Sequence, residues 1–467
     1  MSSQSKEVEA KMDPREVVDS SCKGPVLFLA FSAITWLVVY SIFSLMAGVK
    51  VHASGMLADS AWLSYGRIQP ASQLALQFGF LVQLGLAISA WIFSHRGRTV
   101  LVDGGYLYIG GLIWNAGVTL GLLGILSGGS SGLEGLQMPV HVLPILFTGF
   151  VLVGVSLVQT NSRRTDEEMS PAQWFLFTAT LWLPWVLGSA FLLIYYFNAK
   201  GVMANIIDWW FIQNFTKVYL TFVALGVCSH FFSSFTGRGV IGRGYSIFAF
   251  WVLLLFGSIG GVTLGAPVPA WLPALSTVTS VFYFTGIVAI YYVLHHTQNG
   301  ATAVDESDKD NLTLMRLALI IFALVSVLNL IFAFPGMAST AEFTTYGPAI
   351  DLLYNLGFVG LLLIASLYHI FPRLAEMGLC PKITKVQNMA FILGFLVATL
   401  PSALGGLMSG DAVLGSGFYF SSVGDLLLLL ASLLLFLNFL GAIIMAIKCC
   451  DCLSGLCGKQ QRKEVKA

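Results

Sequence analysis

Ten side chains have the types and positions needed for chemistry within an apolar chain. Three of them, Lys217, Asp351 and Asp425, are ionisable residues that interrupt long apolar runs. An ionisable group at membrane depth is costly unless it is paired or lines an ion path. The other seven are histidines, the side chains that most often bind metals and haem iron: His52, His95, His141, His230, His295, His296 and His369.

The positions of the histidines disfavour a buried cofactor. His95, His230 and His369 stand near the inner ends of apolar runs, as do the adjacent His295 and His296. None lies in the middle of a run, where a buried haem would be ligated. The sequence therefore favours interfacial histidines in contact with headgroups or water.

Lys217 is near the middle of its run, and its long side chain could extend toward Asp351. A structural ion pair or a snorkelled lysine is the first interpretation. The alternative is a polar path for protons or ions through Lys217, Asp351 and Asp425.

The composition places these residues in a membrane protein. Of 467 residues, 57% are hydrophobic and 10% are charged, whereas a soluble domain carries about 25% charged residues. The chain lacks the polar surface that a soluble enzyme or a nucleic-acid binder requires. We therefore expect membrane lipids around it and no nucleic acid as a partner.

The apolar runs predict an all-α bundle of twelve transmembrane helices, because about 20 apolar residues span a bilayer. A cytoplasmic N-terminal tail at 1–24 would precede a membrane domain at 25–448, and a cytoplasmic tail at 449–467 containing cysteine and lysine would follow it. The predicted spans are 26–48, 70–94, 104–126, 140–160, 172–197, 206–233, 245–265, 271–295, 312–334, 347–371, 387–408 and 418–447.

Positive charge in the loops sets the predicted orientation. With a cytoplasmic N-terminus, 20 of the 24 lysine and arginine residues lie inside, three lie outside and Lys217 lies within a span. Both termini are then cytoplasmic, and the chain is expected in the cell inner (cytoplasmic) membrane as a multi-pass protein.

Several segments resemble the catalytic subunit I of haem–copper oxidases, most closely the C-family (cbb-type) cytochrome c oxidases. They occur in the order that the family shows, with similar spacing. The segments are SYGRIQPASQLALQFGF at 64–80, QWFLF at 173–177, DWWFIQN at 208–214, YSIFAFW at 245–251 and GFVGLLLIASLYHIFPRL at 357–374.

The resemblance also implies where cofactor ligands would stand. A histidine ligand of the low-spin haem would fall on Ser72, and a copper-binding histidine on Gln213. The paired copper histidines would fall near Thr263 and Leu264, and the histidines of the tenth helix near Ile350 and Leu352. These side chains do not replace imidazole as ligands of haem iron or copper. Haem and copper would be expected only in an intact site, so we predict no cofactor, no metal and no catalytic residue here.

The first functional hypothesis is therefore a haem-free relative of oxidase subunit I. It would be a scaffold in a respiratory or electron-transfer complex with c-type cytochromes, and not catalytic alone. The second hypothesis is an active cbb-type oxidase subunit with displaced ligands, which would retain proton-translocating cytochrome c oxidase activity. The third is an ion or small-molecule transporter that uses the polar path.

Overall fold

The computed structural model describes residues 14–237, 239–299, 306–408 and 411–452, and these parts contain helices but no strand. Eleven of the helices are long and apolar enough to cross a membrane, which confirms the predicted all-α membrane fold. In chain order the main helices are α1 Pro14–His52, α2 Tyr65–Gly97, α3 Gly104–Ser127, α4 Val142–Ser162, α5 Pro171–Tyr196, α6 Val202–Thr236, α7 Arg243–Ser258, α8 Trp271–Asn299, α9 Glu306–Ile331, α10 Tyr346–Ala375, α11 Pro381–Leu407 and α12 Asp411–Cys452. The shorter helices Ala61–Leu63 and Pro335–Ala341 lie in connections.

Helix α7 differs most from the prediction of a span at 245–265. It has 16 residues and ends at Ser258, which corresponds to about 24 Å against a hydrocarbon thickness of about 30 Å. The chain leaves the helix because Gly260 and Gly261 adopt φ values of 111° and 90°, which favour glycine and break the helix. The residues after them are irregular and do not continue the helix.

The two predicted tails are described only in part. Helix α1 already begins at Pro14, so residues 14–24 of the predicted N-terminal tail are helical. Residues 1–13 and 453–467 lie outside the described residues. Helix α12 extends to Cys452, but the side chains of the tail cysteines are outside the described part.

Three helices occupy the centre of the bundle. The most apolar windows of α2 and α6 are each 94% buried and that of α10 is 83% buried, whereas the other membrane-length helices are 39–50% buried. A helix that is apolar on all sides is expected either in a protein interior or in lipid, and these three lie in the interior. Any buried site must therefore be built mainly from α2, α6 and α10.

Local sequence explains how neighbouring helices begin and approach each other. Helix α5 begins with a capping box, in which Ser170 and Gln173 bond reciprocally to backbone and side-chain groups and so satisfy free N–H groups. Helices α3 and α4 cross closely at Gly149, where a Cβ atom would lie 2.8 Å from the backbone nitrogen of Trp114. Small residues permit this kind of close helix contact in membranes.

Candidate functional site

Each of the three central helices widens into a π-helical segment near its middle. The segments are Ala75–Val82 in α2, Asn214–Leu220 in α6 and Leu353–Gly360 in α10. A π segment changes the hydrogen-bond pattern from i→i−4 to i→i−5 and is often associated with functional sites. Because all three are buried at the bundle centre, they define the first candidate region.

The π segment of α6 is bonded by a group of hydroxyls that we call the hydroxyl network: Thr221, Tyr283 and Tyr354. Tyr283 donates to the Lys217 carbonyl over 2.8 Å, and the Tyr354 hydroxyl lies 3.0 Å from the Thr216 carbonyl. The Thr221 hydroxyl lies 3.0 Å from the same Thr216 carbonyl, 2.8 Å from the Tyr354 hydroxyl and 3.2 Å from the Tyr283 hydroxyl. These bonds add side-chain donors to backbone oxygens within the bundle, where no water is available to supply them. The Thr216 carbonyl also accepts the Thr221 backbone N–H.

Lys217 projects from this π segment. Its ammonium lies 5.8 Å from the centre of the Tyr283 ring, within cation–π range. Lys217 lines a small cavity between α6, α8, α9 and α10, together with Ser326 and Asn329. Asp351 is exposed near the start of α10, and within the described structure the two side chains are not bonded to each other.

Asp425 is separate from Lys217 and Asp351. It is 5% exposed and accepts a hydrogen bond of 2.8 Å from the Ser44 hydroxyl. This contact joins α12 to α1, and α12 packs chiefly on α1 and α11. The structure thus does not bring the three predicted path residues together into one contact group.

The positions that the resemblance assigns to ligands on α2 and α6 are occupied by neutral polar residues. Ser72 is buried, and its hydroxyl donates to the carbonyl of Gln69 over 2.8 Å. Gln213 is also buried, and the loop after α7 packs against it: a Cβ on Gly261 would lie 2.8 Å from Gln213 Cβ. The Ser72 hydroxyl already has a backbone partner and the Gln213 side chain has backbone packed beside it.

The remaining assigned positions lie on α10 and after α7. Ile350 is buried and Leu352 is half-buried; both side chains are hydrocarbon and have no atom that ligates a metal. Thr263 and Leu264 lie in the connection after Ser258, not in the helix predicted there. The residues at these positions therefore do not fit haem iron or copper, which require strong ligands such as imidazole or thiolate.

Aromatic side chains fill much of the interior between α2, α3, α4 and α6. Phe215 is stacked at 5.3 Å from Phe78 and at 5.7 Å from Tyr219, measured between ring centres. Phe78 also stacks on Trp114, which donates its indole N–H to the Phe78 carbonyl over 2.8 Å. We call Phe78, Trp114, Phe215 and Tyr219 the aromatic column; all four are at most 2% exposed.

A second candidate region lies where α2, α6 and α10 end. These three helices run in the same direction, so His95, His230 and His369 meet around Trp91, and we call these three the histidine cluster. The Trp91 ring stacks on His95 at 4.5 Å and meets His230 at 5.7 Å and His369 at 6.3 Å. His369 Nδ1 is also 2.7 Å from a carboxylate oxygen of Asp308.

His230 and His369 are only 3% and 7% exposed. These two histidines are therefore less exposed than the sequence led us to expect, because aromatic rings cover most of each side chain. Both ring nitrogens of His230 are without a hydrogen-bond partner. Within the described parts of the chain, no three His, Cys, Asp or Glu side chains are grouped to hold a metal ion.

The sequence contains a partial signal for this cluster. Four apolar runs of the same direction have histidine near the same end: 70–94, 206–233, 271–295 and 347–371. Histidines of any of these runs that are neighbours are expected to meet, and the sequence does not show which runs are neighbours. The hydroxyl network had no comparable signal, because Thr221, Tyr283 and Tyr354 are far apart in the sequence and the π segments are not visible in the apolar pattern.

Comparisons with known proteins agree with this architecture. The model of the family Cytochrome C and Quinol oxidase polypeptide I matches residues 24–414. The chain is 22% identical over 242 residues to a bacteroid cytochrome c oxidase subunit 1 homolog of Bradyrhizobium diazoefficiens, covering 50% of this chain and 44% of the relative. It is 22% identical over 255 residues to a cytochrome c oxidase subunit 1 of Rhodobacter capsulatus, covering 52% and 48%. The matches thus span about half the length of these relatives.

A solved structure shares the fold over most of the chain. It is a heme-copper terminal oxidase dimer determined by cryo-electron microscopy, with a TM-score of 0.70 and 11% sequence identity. The match covers 90% of this chain and 84% of the other. At this identity the similarity concerns the fold alone.

Proposed function

The chain belongs to the cytochrome c and quinol oxidase polypeptide I family, and from this premise we propose that it is a subunit I-like membrane protein without redox centres. Its role would be that of a scaffold in a respiratory or electron-transfer complex that contains c-type cytochromes. The scaffold would hold partner subunits in the membrane, while electron transfer would take place on those partners.

The observation that carries this proposal is the chemistry of the side chains at the assigned ligand positions. Ile350 and Leu352 are hydrocarbon, and Ser72 already donates to a backbone carbonyl. The aromatic column adds support, because its buried, stacked rings fill the interior between α2, α3 and α6, and a filled interior leaves little room for a further group.

We also propose the finer topology of twelve spans with both termini cytoplasmic, in the inner (cytoplasmic) membrane. Helix α7 would be the twelfth span, completed by the irregular residues after Ser258. It packs on α8 and on the π segment of α6, as expected for a member of the bundle. The distribution of lysine and arginine supports the orientation.

The proposal is tested with the complex purified intact from its native membrane, beside a cbb-type oxidase prepared in the same way. We expect metal analysis and reduced-minus-oxidised spectra to show less than one haem b or copper per chain. A haem-stained gel should show a c-type cytochrome in fixed ratio to the chain. Stoichiometric haem b and copper on this subunit, or a chain that purifies without any c-type cytochrome, would overturn it.

The same preparation tests an active oxidase with displaced ligands. That hypothesis requires oxygen uptake that is lost in His230→Ala or His369→Ala. The scaffold proposal instead expects no oxygen uptake assignable to this chain, and no change in the c-type cytochrome content of either variant that folds.

A transporter is the second candidate, favoured by the position of Lys217 beside a cavity at membrane depth. It requires flux in proteoliposomes that contain this chain alone, and a loss of flux in Lys217→Met. Lys200→Met is the control, because Lys200 lies in the connection between α5 and α6. Flux that is equal in both variants would exclude the path through Lys217.

A further inference from the structure

An open pocket of about 220 Å³ lies at the end of the bundle that holds the histidine cluster. Its walls come from the end of α2, the connection between α4 and α5, the end of α6 and the start of α7. The residues that matter chemically are Arg96, Asp166, Glu168, Ser229, His230 and Arg243. Neither the resemblance nor the proposed scaffold role assigns a ligand to this pocket.

The floor of the pocket contains polar atoms that the protein leaves unsatisfied. Ser229 Oγ and both ring nitrogens of His230 are buried and have no hydrogen-bond partner. His230 itself is 97% removed from solvent, since its exposure is 3%. Buried polar groups are almost always hydrogen-bonded, so these atoms indicate a polar occupant.

The rim of the pocket has charges of both signs. Arg243 forms an ion pair with Glu168 and lies 5.5 Å from the centre of the Trp174 ring. Arg96 and Asp166 are exposed at the rim, and among the described residues neither is in an ion pair. One basic and one acidic group thus remain available to the same occupant.

The surroundings of the pocket are those of a lipid headgroup. It lies at the helix ends, where a membrane bundle meets the headgroup layer. The adjoining helix α7 exposes large apolar side chains just beyond its start: Tyr245, Phe248 and Trp251 are 58%, 51% and 61% exposed. Aromatic residues are enriched at this level of membrane proteins, and acyl chains can lie along such a surface.

We propose that this pocket binds the phosphoethanolamine headgroup of a membrane phospholipid. The phosphate pairs with the Arg96 guanidinium and accepts from the Ser229 hydroxyl and a ring N–H of His230. The primary ammonium donates to the Asp166 carboxylate. A phosphatidylglycerol headgroup carries the same phosphate but no cation to pair with the Asp166 carboxylate. A choline headgroup has a cation but no N–H to donate to that carboxylate.

The experiment uses the full chain reconstituted in vesicles of equal phosphatidylethanolamine, phosphatidylglycerol and phosphatidylcholine, followed by native mass spectrometry of retained lipid. We expect wild type to retain one phosphatidylethanolamine in preference to the other two lipids. Arg96→Gln should reduce this retention about tenfold, the loss expected for one charge-assisted bond. Asp166→Asn should reduce it similarly but leave phosphatidylglycerol retention unchanged or increased.

Two matched variants serve as controls. Arg98→Gln and Glu167→Gln remove the same charges from neighbouring exposed residues that do not line the pocket, and both should retain lipid as wild type does. Retention of all three lipids to the same extent, preference for phosphatidylglycerol, or equal losses in the control variants would overturn the proposal.

Soluble phosphoethanolamine distinguishes the lipid from the free compound. Because it lacks acyl chains, it should displace the retained lipid only at a large molar excess. Displacement at equal concentration would show that the free compound is the ligand, and would refute the assignment to a lipid.

Discussion

The hydroxyl network allows a sharp test of how the widened part of α6 is held. Its three hydroxyls have three protons to donate. Tyr283 donates to the Lys217 carbonyl. Either Thr221 or Tyr354 donates to the Thr216 carbonyl, and the other of the two donates to the hydroxyl of the first. If either Thr221 or Tyr354 loses its hydroxyl, the other can therefore donate to the Thr216 carbonyl. The Lys217 carbonyl has no such substitute, because within the network only Tyr283 bonds it.

This arrangement predicts an order of stabilities. Thr221→Val or Tyr354→Phe should each lower the free energy of unfolding by about 0.6 kcal/mol and at most about 1.7 kcal/mol, the range for membrane hydrogen bonds. Tyr283→Phe should cost about 1–3 kcal/mol, because it removes the side-chain donor from a buried carbonyl. In the double variant Thr221→Val with Tyr354→Phe, the loss of unfolding free energy should exceed the sum of the single effects by up to about 1 kcal/mol. Both side-chain donors are then gone, and of the three donors only the Thr221 backbone N–H still bonds the Thr216 carbonyl.

The free energies are measured by reversible unfolding in mixed micelles with increasing dodecyl sulfate, followed by helix content. Tyr245→Phe and Thr285→Val are matched controls: Tyr245 is 58% exposed, and the Thr285 hydroxyl bonds only a carbonyl of its own helix. Both should leave the free energy unchanged. If Tyr283→Phe costs no more than Thr221→Val, or if the double variant is additive, the network does not hold α6 in the way described.

Three further changes test other parts of the bundle in the same unfolding assay. Phe215→Ala should lower the free energy of unfolding by about 3–5 kcal/mol, because it leaves a cavity in the aromatic column. Phe248→Ala, on the exposed face of α7, should lower it far less. Equal losses in the two variants would contradict the packing described for Phe215. Ser44→Ala should cost about 1–3 kcal/mol because buried Asp425 loses its donor, with exposed Ser20→Ala as control. Ser170→Ala should cost about 1 kcal/mol by removing the cap of α5, and an unchanged stability would show that the cap is dispensable.

The apolar pattern was sufficient to predict most of the helices, because long apolar runs in a chain with few charges have to be helical within a bilayer. It failed at α7, where the run continues in composition beyond Ser258. Gly260 and Gly261 end the helix through their backbone conformation, and hydropathy does not report conformation. The apolar pattern therefore predicted Thr263 and Leu264 in a helix, whereas they lie in a connection.

The candidate sites were less predictable than the helices, because they depend on which helices are neighbours. Lys217 and Asp425 are both ionisable residues in apolar runs, yet one faces a cavity beside α8 and the other bonds Ser44 on α1. Hydropathy does not distinguish a charged side chain that faces a cavity from one that bonds a neighbouring helix. The histidine cluster required knowing that α2, α6 and α10 adjoin, which follows from burial and not from any one residue.

The aromatic column and the hydroxyl network address one physical problem of the proposed scaffold. A cofactor that binds only the folded state adds to stability, so a scaffold without one would need other interactions at the bundle centre. Stacked rings supply buried apolar area and the favourable geometry of aromatic pairs. The indole N–H of Trp114 bonds the Phe78 carbonyl in the π segment of α2, as Tyr283 bonds the Lys217 carbonyl in that of α6. In both helices a side chain of a neighbouring helix bonds a carbonyl where the α-helical pattern is interrupted, so the widened geometry can persist without a ligand to hold it.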